Sequence, residues 1–291
     1  MKSDIIWLIF AFGSAFFAGI TSILAKCGIR TTDSSVATAI RTIVVFFMAV
    51  IMVIIAGTQT HISDISIRTW VFLILSGLAT GGSWLCYFKA LQIGDINKVV
   101  PIDKSSTILA MMMAFIFLKE DITLLKVICI FFIGTGTLMM IENKTPSIGC
   151  SPKSNYLPFA FMSAIFAALT SVLGKIGIEN IDSNLGTAIR TFVVLIMAWL
   201  MVGITKKSSE IKKISKKELV FICFSGVATG GSWLCYYNAL QIGPASAVVP
   251  IDKLSIIITV VFSYFVFKEK LTAKSLLGLV LITIGTLGML L

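Results

Sequence analysis

One segment of the sequence, Ser-Gly-Leu-Ala-Thr-Gly-Gly-Ser-Trp-Leu-Cys-Tyr at residues 76–87, occurs again at residues 225–236 with a single change, Leu78 to Val227. The two copies lie 149 positions apart. The same offset relates several other residues of the chain, namely Arg41 and Arg190, Pro101 and Pro250, Asp103 and Asp252, Lys104 and Lys253, and Glu120 and Glu269. A constant offset over such a length predicts one structural unit that occurs twice.

The composition places this duplicated unit in a membrane. Of the 291 residues, 57% are hydrophobic and only 13% are charged, with a mean hydropathy of +0.99, whereas soluble domains carry about 25% charged residues. The net charge of +10 does not indicate nucleic-acid binding, because the lysines lie in short gaps between apolar segments, as is usual for loops that flank membrane spans.

Each copy contains five apolar segments, each long enough to approach or cross a bilayer as a helix. We predict an all-α polytopic membrane protein of ten transmembrane helices, with a first repeat at residues 1–142, a linker at 143–155 and a second repeat at 156–291. The predicted spans are residues 5–25, 36–56, 70–91, 99–118 and 122–141, then 156–173, 185–204, 219–240, 248–267 and 276–291. Because five is odd, the second copy enters from the opposite side, which gives inverted repeats of the kind found in many secondary transporters.

The distribution of basic residues predicts the orientation. The side reached after the first span carries fifteen Lys and Arg residues outside the spans, and the opposite side carries five. The richer side is expected to face the cytoplasm. We therefore predict a protein of the cell membrane with both termini outside.

The sequence offers no chemistry for a metal, a cofactor or catalysis. Its six cysteines include no Cys-x-x-Cys pair, and its one histidine, His61, lies in a predicted loop. Zinc sites need closely spaced Cys and His ligands. We therefore expect no metal, no cofactor and no enzymatic activity, and a membrane-embedded enzyme is the less favoured class.

The order of shorter motifs resembles the EamA-type domains of the drug/metabolite transporter superfamily. In each half an Ala-Leu pair precedes a short loop, a proline and an apolar span that ends in Lys-Glu, and glycines follow in the fifth span: Ala90-Leu91, Pro101, Lys119-Glu120, Gly134 and Gly136, then Ala239-Leu240, Pro250, Lys268-Glu269 and Gly285. The resemblance covers nearly the whole chain. It implies a ten-helix secondary transporter with a central cavity lined mainly by the first four helices of each half, and it implies no particular substrate.

Related small multidrug resistance proteins use a glutamate in their first membrane helix. The first and sixth predicted spans here contain Ser14, Thr21, Ser163 and Thr170 but no acidic residue. This difference argues against transferring their proton-coupled mechanism to this chain.

Six ionisable residues within the predicted spans are candidate gating charges, because such residues usually face a cavity or a bundle interior. They are Arg41, Asp103, Lys104, Arg190, Asp252 and Lys253. We hypothesise that Asp103 pairs with Arg41 or Lys26 when the cytoplasmic side is closed, and Asp252 with Arg190 or Lys175 when the outer side is closed. Alternatively, the aspartates favour a helix N-terminus and the lysines extend to the headgroups.

Aromatic and hydroxyl side chains of the repeated segments are candidate cavity residues. Residues three apart share a helix face, and two aromatic pairs could enclose a substrate; a packing role is the alternative. The candidates are Trp84, Tyr87, Trp233, Tyr236, Ser105 and Ser255. The glycines of the repeat are expected to allow close helix packing, and Glu120 and Glu269 to act as anchors at the membrane surface.

These observations favour a secondary transporter of a small polar metabolite that works by alternating access. The positive sum of the interior charges favours an anionic group, as in an amino acid or organic acid, whereas the aromatic pairs favour an amine. A coupling Na⁺ or H⁺ would have to use Asp103 and Asp252, the carboxylates well inside the spans. The alternatives are a flippase or exporter of a lipid-linked sugar or amine, and a non-transporting membrane assembly protein.

Overall fold

The computed structural model describes residues 3–28, 32–93, 99, 102–140, 156–267 and 272–290, and all regular structure in these ranges is helical. Two of the helices, Thr58–Asp64 and Ser208–Lys213, are short 3-10 helices. The α-helices are α1 (Ser3–Gly28), α2 (Ser34–Ala56), α3 (Ile67–Ile93), α4 (Ser106–Phe117), α5 (Leu124–Met140), α6 (Leu157–Gly177), α7 (Ser183–Ile204), α8 (Lys216–Ile242), α9 (Ala245–Lys253), α10 (Ser255–Phe267) and α11 (Ala273–Gly288).

Seven segments of the described chain are long and apolar enough to cross a membrane, which confirms the all-helical, multi-pass architecture. Two further apolar helices, α5 and α11, are shorter, at 17 and 16 residues. The number of ten spans remains a prediction.

The second helix of each repeat begins at an aspartate cap. Asp33 Oδ1 accepts hydrogen bonds from the backbone N–H groups of Ser35 and Val36, at 2.9 and 3.4 Å. Asp182, 149 residues later, accepts from Asn184 and Leu185 at 3.0 and 3.2 Å. A carboxylate at this position satisfies backbone donors that have no partner within the helix. The same local signal therefore starts α2 and α7.

The two repeats are interlocked rather than side by side. The most extensive helix contacts all join one repeat to the other: α1 with α8, α3 with α6, α5 with α11, and α2 with α7. Glycines permit close packing, as expected, in two further helix pairs that join the repeats, α3 with α7 and α8 with α2. A Cβ atom on Gly77 would lie 2.7 Å from Val193 Cβ, and one on Gly226 would lie 2.7 Å from Val44 Cβ.

Contacts between helix ends define two faces of the bundle. At the first, which we call the N-terminal face because α1 begins there, Thr58 donates to Asp182 at 3.4 Å. At the second, the linker face, Lys207 Nζ lies 2.6 Å from Asp33 Oδ2. Thr58 and Lys207 occupy equivalent positions in the two repeats, so each face is built from corresponding parts of opposite halves. The linker face is the one predicted to be cytoplasmic.

The ninth predicted span, residues 248–267, is not one continuous helix. It is divided between α9, which contains Pro250, and α10. The chain then forms a 3-10-type turn at Leu254, whose N–H donates a hydrogen bond to the carbonyl of Ile251, three residues earlier, at 2.9 Å. In the first repeat, Ser105 makes the equivalent turn before α4, with its N–H 3.2 Å from the Ile102 carbonyl. Both breaks come directly after an Asp-Lys pair.

Candidate functional site

A polar cavity of about 330 Å³ lies among helices from both repeats. Pockets of roughly 300–1,000 Å³ are usual for small-molecule sites. The lining side chains come from α1, α3 and α6 to α9 and are Ala18, Thr80, Ser83, Trp84, Ala167, Thr170, Ser171, Arg190, Ser232, Trp233, Tyr236, Tyr237, Asp252 and Lys253. Broken membrane helices commonly surround substrate and ion sites, and the break after Lys253 borders this cavity.

Arg190 is the most deeply buried charge of the cavity, with 1% of its surface exposed. Its Nε donates to Ser76 Oγ at 3.3 Å and its Nη2 to Thr80 Oγ1 at 2.8 Å. The guanidinium carbon lies 4.4 Å from the ring centre of Tyr237 and 5.1 Å from that of Trp233. No carboxylate of the described residues forms an ion pair with it. Arg190 is therefore a fixed, buried positive charge held by neutral groups.

Asp252 lies at the break between α9 and α10. Its Oδ1 accepts a hydrogen bond from Ser14 Oγ at 2.7 Å, and Ser14 Oγ is also 3.2 Å from Ser232 Oγ. Lys253 Nζ lies 4.0 Å from Asp252 Oδ2, and 48% of the lysine side chain is exposed. The carboxylate is thus oriented by α1 of the other repeat, and the lysine ammonium is only loosely paired.

The equivalent residues of the first repeat make the equivalent contacts. Ser163 Oγ donates to Asp103 Oδ1 at 2.7 Å, and Ser163 Oγ also lies 3.4 Å from Ser83 Oγ. In both halves, then, a serine of one repeat's first helix binds the aspartate of the other. Sequence reasoning listed Ser14 and Ser163 as polar residues and missed this role, although their 149-residue spacing matched that of the aspartates.

The two arginines, by contrast, are not equivalent in this conformation. Arg190 binds Ser76 and Thr80, but Arg41 forms no hydrogen bond with the corresponding Ser225 and Thr229 among the described residues. Thr229 Oγ1 lies 3.4 Å from Thr21 Oγ1, just as Thr80 Oγ1 lies 3.2 Å from Thr170 Oγ1, so the halves share this contact and differ at the arginine. Arg41 is only partly buried. Two halves with nearly the same local sequence therefore adopt different arrangements around their arginines.

Six of the candidate site residues line the cavity: Trp84, Trp233, Tyr236, Arg190, Asp252 and Lys253. Arg41, Asp103, Lys104, Tyr87, Ser105 and Ser255 are not among its lining residues. Tyr87 packs with Ala90, Val99 and Ala160 instead, and Ser105 Oγ donates to the Ile102 carbonyl at 2.6 Å.

The hypothesised pairing of Asp252 with Arg190 or Lys175 is not formed. Asp252 is bound by Ser14, Arg190 by hydroxyl groups, and Lys175 pairs with Glu120, its Nζ lying 3.7 Å from Oε1. Asp103 likewise is bound by Ser163. The side chain of Lys26, its other hypothesised partner, lies outside the described residues.

Glu120 is not the surface anchor that the sequence suggested. Only 11% of its side chain is exposed, and its two carboxylate oxygens accept hydrogen bonds from the backbone N–H groups of Ala245 and Ser246, at 2.6 and 2.9 Å. Lys175, its ionic partner, also donates to the Gly243 carbonyl. Sequence reasoning missed this contact because Glu120 and its partners lie far apart in the chain. Glu269, the equivalent residue, is outside the described residues.

A second, apolar groove of about 500 Å³ opens between α2 and α7 near the N-terminal face, with Phe46, Trp70 and Phe192 among its lining residues. It shares no lining residue with the polar cavity.

Comparison with known proteins places these features in a family. The sequence profile of the EamA-like transporter family matches residues 5–142 and 155–291. A protein of Sinorhizobium sp., described as an uncharacterized transporter in the cobO 3′ region, is 41% identical over 134 residues, which cover 46% of this chain and 95% of that protein. That relative is therefore about as long as one repeat.

Two further similarities were found. An uncharacterized protein of Methanocaldococcus jannaschii is 44% identical over 71 residues, covering 24% of this chain and 51% of that protein. A solved crystal structure superimposes with a TM-score of 0.77 at 14% identity, covering 99% of this chain and 96% of the other. At that identity the structural likeness establishes the fold alone.

Proposed function

The chain belongs to the EamA-like transporter family of the drug/metabolite transporter superfamily and is a multi-pass membrane protein; from this premise we propose that it is a secondary transporter of a small polar metabolite that carries an anionic group. We propose further that it works by alternating access between two inverted five-helix repeats, at residues 1–142 and 156–291, in the cell membrane with both termini outside.

The observation that carries the proposal is the buried guanidinium of Arg190. A charge at bilayer depth costs roughly 2.5–3.5 kcal/mol on insertion scales, and Arg190 has no carboxylate partner among the described residues to offset this cost. An anionic group of a solute in the adjoining cavity would supply that partner. The planar, forked guanidinium suits carboxylates and phosphates in particular.

The remaining charges support the same substrate class. The cavity lining has two positive charges, Arg190 and Lys253, and one negative charge, Asp252, which leaves one excess positive charge. The aromatic rings favour an amine less than the sequence suggested, because the Arg190 guanidinium already occupies cation–π positions beside Trp233 and Tyr237.

Alternating access is supported by the asymmetry of the two arginines. An inverted repeat can exchange the conformations of its halves, which moves access to the central site from one face to the other. In one end state of such a cycle, one arginine would be bonded to hydroxyl groups and its counterpart would not. Arg190 and Arg41 differ in this way. The lipid-linked substrate of a flippase has less support, because the apolar groove and the polar cavity share no lining residue.

The proposal is tested by thermal unfolding of the purified protein with acetate, succinate, inorganic phosphate, alanine, glucose and choline. We expect a carboxylate- or phosphate-bearing compound to raise the Tm, since a ligand at about 100 times its Kd stabilises by about 2.7 kcal/mol. The stabilising compound should then exchange across proteoliposome membranes. Stabilisation by choline alone would contradict the anionic substrate, and stabilisation without exchange would contradict transport.

A further inference from the structure

Glu120 connects the two repeats at the N-terminal face. It follows α4 in the first repeat, and its carboxylate accepts from the first backbone N–H groups of α9 in the second repeat, at Ala245 and Ser246. Pro244, the residue before α9, provides no side-chain cap. Glu120 therefore supplies, from the opposite half, the negative group that a helix N-terminus favours.

Lys175 completes the contact. It lies near the C-terminal end of α6, where its ammonium is 3.7 Å from Glu120 Oε1 and also donates to the Gly243 carbonyl. One carboxylate and one ammonium thus hold three chain segments together: the end of α4, the end of α6 and the turn before α9. We call this cluster the Glu120 latch.

The Glu120 latch lies between the cavity and the N-terminal face. On α6, Lys175 is one turn beyond the cavity residue Ser171, and on α9, Ser246 is six residues before the cavity residue Asp252. At 1.5 Å per residue, these separations correspond to about 6 and 9 Å. The Glu120 latch is therefore within about two helical turns of the cavity, on its N-terminal side.

A second contact closes the same face next to the latch. The side-chain amide of Gln241, at the end of α8, donates to the backbone carbonyls of Ile178 and Ile181. This contact lies within the second repeat, whereas the Glu120 latch joins the first repeat to the second. The Glu120 latch therefore has to break when the two repeats move apart at this face, as does the longer hydrogen bond from Thr58 to Asp182, at 3.4 Å.

We propose that the Glu120 latch is the gate of the N-terminal face: it holds the face closed in the present conformation, and its release opens a path from the cavity to that side. The proposal rests on the proposed alternating access. Charged groups suit a reversible gate, because the carboxylate, the ammonium and the free N–H groups can all be hydrated once the face opens. A purely apolar closure would expose hydrocarbon to water instead.

The state of the gate can be measured without a substrate. Ser246 is 1% exposed, and its hydroxyl has no hydrogen-bond partner among the described residues, so Ser246→Cys removes no such bond and places a thiol inside the closed latch. The reaction of this thiol with a maleimide, followed by peptide mass spectrometry, reports opening separately from the native cysteines. Thr286→Cys is the matched reporter, since Thr286 is equally buried and unbonded but lies on α11, which carries none of the latch residues.

We expect Glu120→Gln to raise the labelling rate at position 246 about tenfold, as charge-assisted hydrogen bonds are replaced by weaker ones, and to leave the rate at position 286 unchanged. Glu210→Gln, which breaks the exposed surface pair with Lys213, should change neither rate. Lys175→Met, which leaves the helix cap intact, should raise the rate at position 246 by a smaller factor, and it decides the question if Glu120→Gln does not fold.

Unchanged labelling at position 246, or equal increases at positions 246 and 286, would overturn the proposal and make Glu120 a static contact. Because these rates are measured without any transported compound, a failure here is distinct from a failure of the anionic-substrate proposal.

Discussion

Arg190→Gln is expected to abolish the stabilisation that an anionic compound gives to the purified protein. Glutamine keeps hydrogen-bonding capacity toward Ser76 and Thr80 but removes the charge that would bind the solute. Removing one member of a buried charge pair typically costs about 2–5 kcal/mol, which corresponds to a loss of affinity of about 30-fold or more. Binding of the carboxylate or phosphate that stabilises the wild type, measured by titration calorimetry, checks this.

The stability of the ligand-free protein distinguishes this role from a structural one. If Arg190 serves the solute, Arg190→Gln should melt at or above the wild-type temperature, because it removes a buried charge that has no anionic partner. Arg190→Lys should retain part of the affinity, since a lysine keeps the charge without the fork. Arg68→Gln, at an exposed arginine beside Phe72, is the control and should change neither quantity. A lower Tm with unchanged affinity would contradict the proposal.

Gly136→Ala is expected to cause a large loss of stability. A Cβ atom at this position would lie 2.6 Å from the carbonyl oxygen of Gly278 and 2.9 Å from the backbone nitrogen of Ile282. Both are main-chain atoms of α11, so relief requires α5 and α11 to separate. Such overpacking typically costs about 1–3 kcal/mol, which thermal unfolding of the purified protein would detect as a lower Tm.

Gly203→Ala provides the matched control for this substitution. A Cβ atom on Gly203 meets nothing within 4 Å, and alanine favours a helix over glycine by about 1 kcal/mol. This variant should melt at or above the wild-type temperature. If Gly136→Ala did the same, the close contact between α5 and α11 would not contribute to stability.

Helical segments, membrane insertion and family were all accessible from the sequence, because each depends on patterns that the chain carries locally or repeats. Apolar runs exclude a soluble fold, and Asp33 and Asp182 mark where α2 and α7 begin. The glycines at 77 and 226 indicated close packing before their neighbours were known. These signals need no knowledge of which helix contacts which.

The contact partners of the charged side chains were predicted less well than the helices, and Glu120 and Asp252 show the reason. The hypothesis paired each charge with an opposite charge of its own repeat or a nearby span end, as in Asp252 with Arg190 or Lys175. In the structure, Asp252 is bound by Ser14 and Lys175 by Glu120, in both cases across the two repeats. Interlocked packing brings these groups together, and a list of charges along the chain does not encode it.

The sequence alone determined that the protein is built from one unit used twice, because a 149-residue offset shared by so many residues has no other simple origin. It could not determine how the halves differ, since Arg41 and Arg190 occupy the same local sequence. Only the tertiary structure decided that Arg190 binds the hydroxyls of Ser76 and Thr80, whereas Arg41 makes no such hydrogen bond among the described residues. The physical reason is that identical segments share the same local preferences, and only their contacts with the rest of the fold make them different.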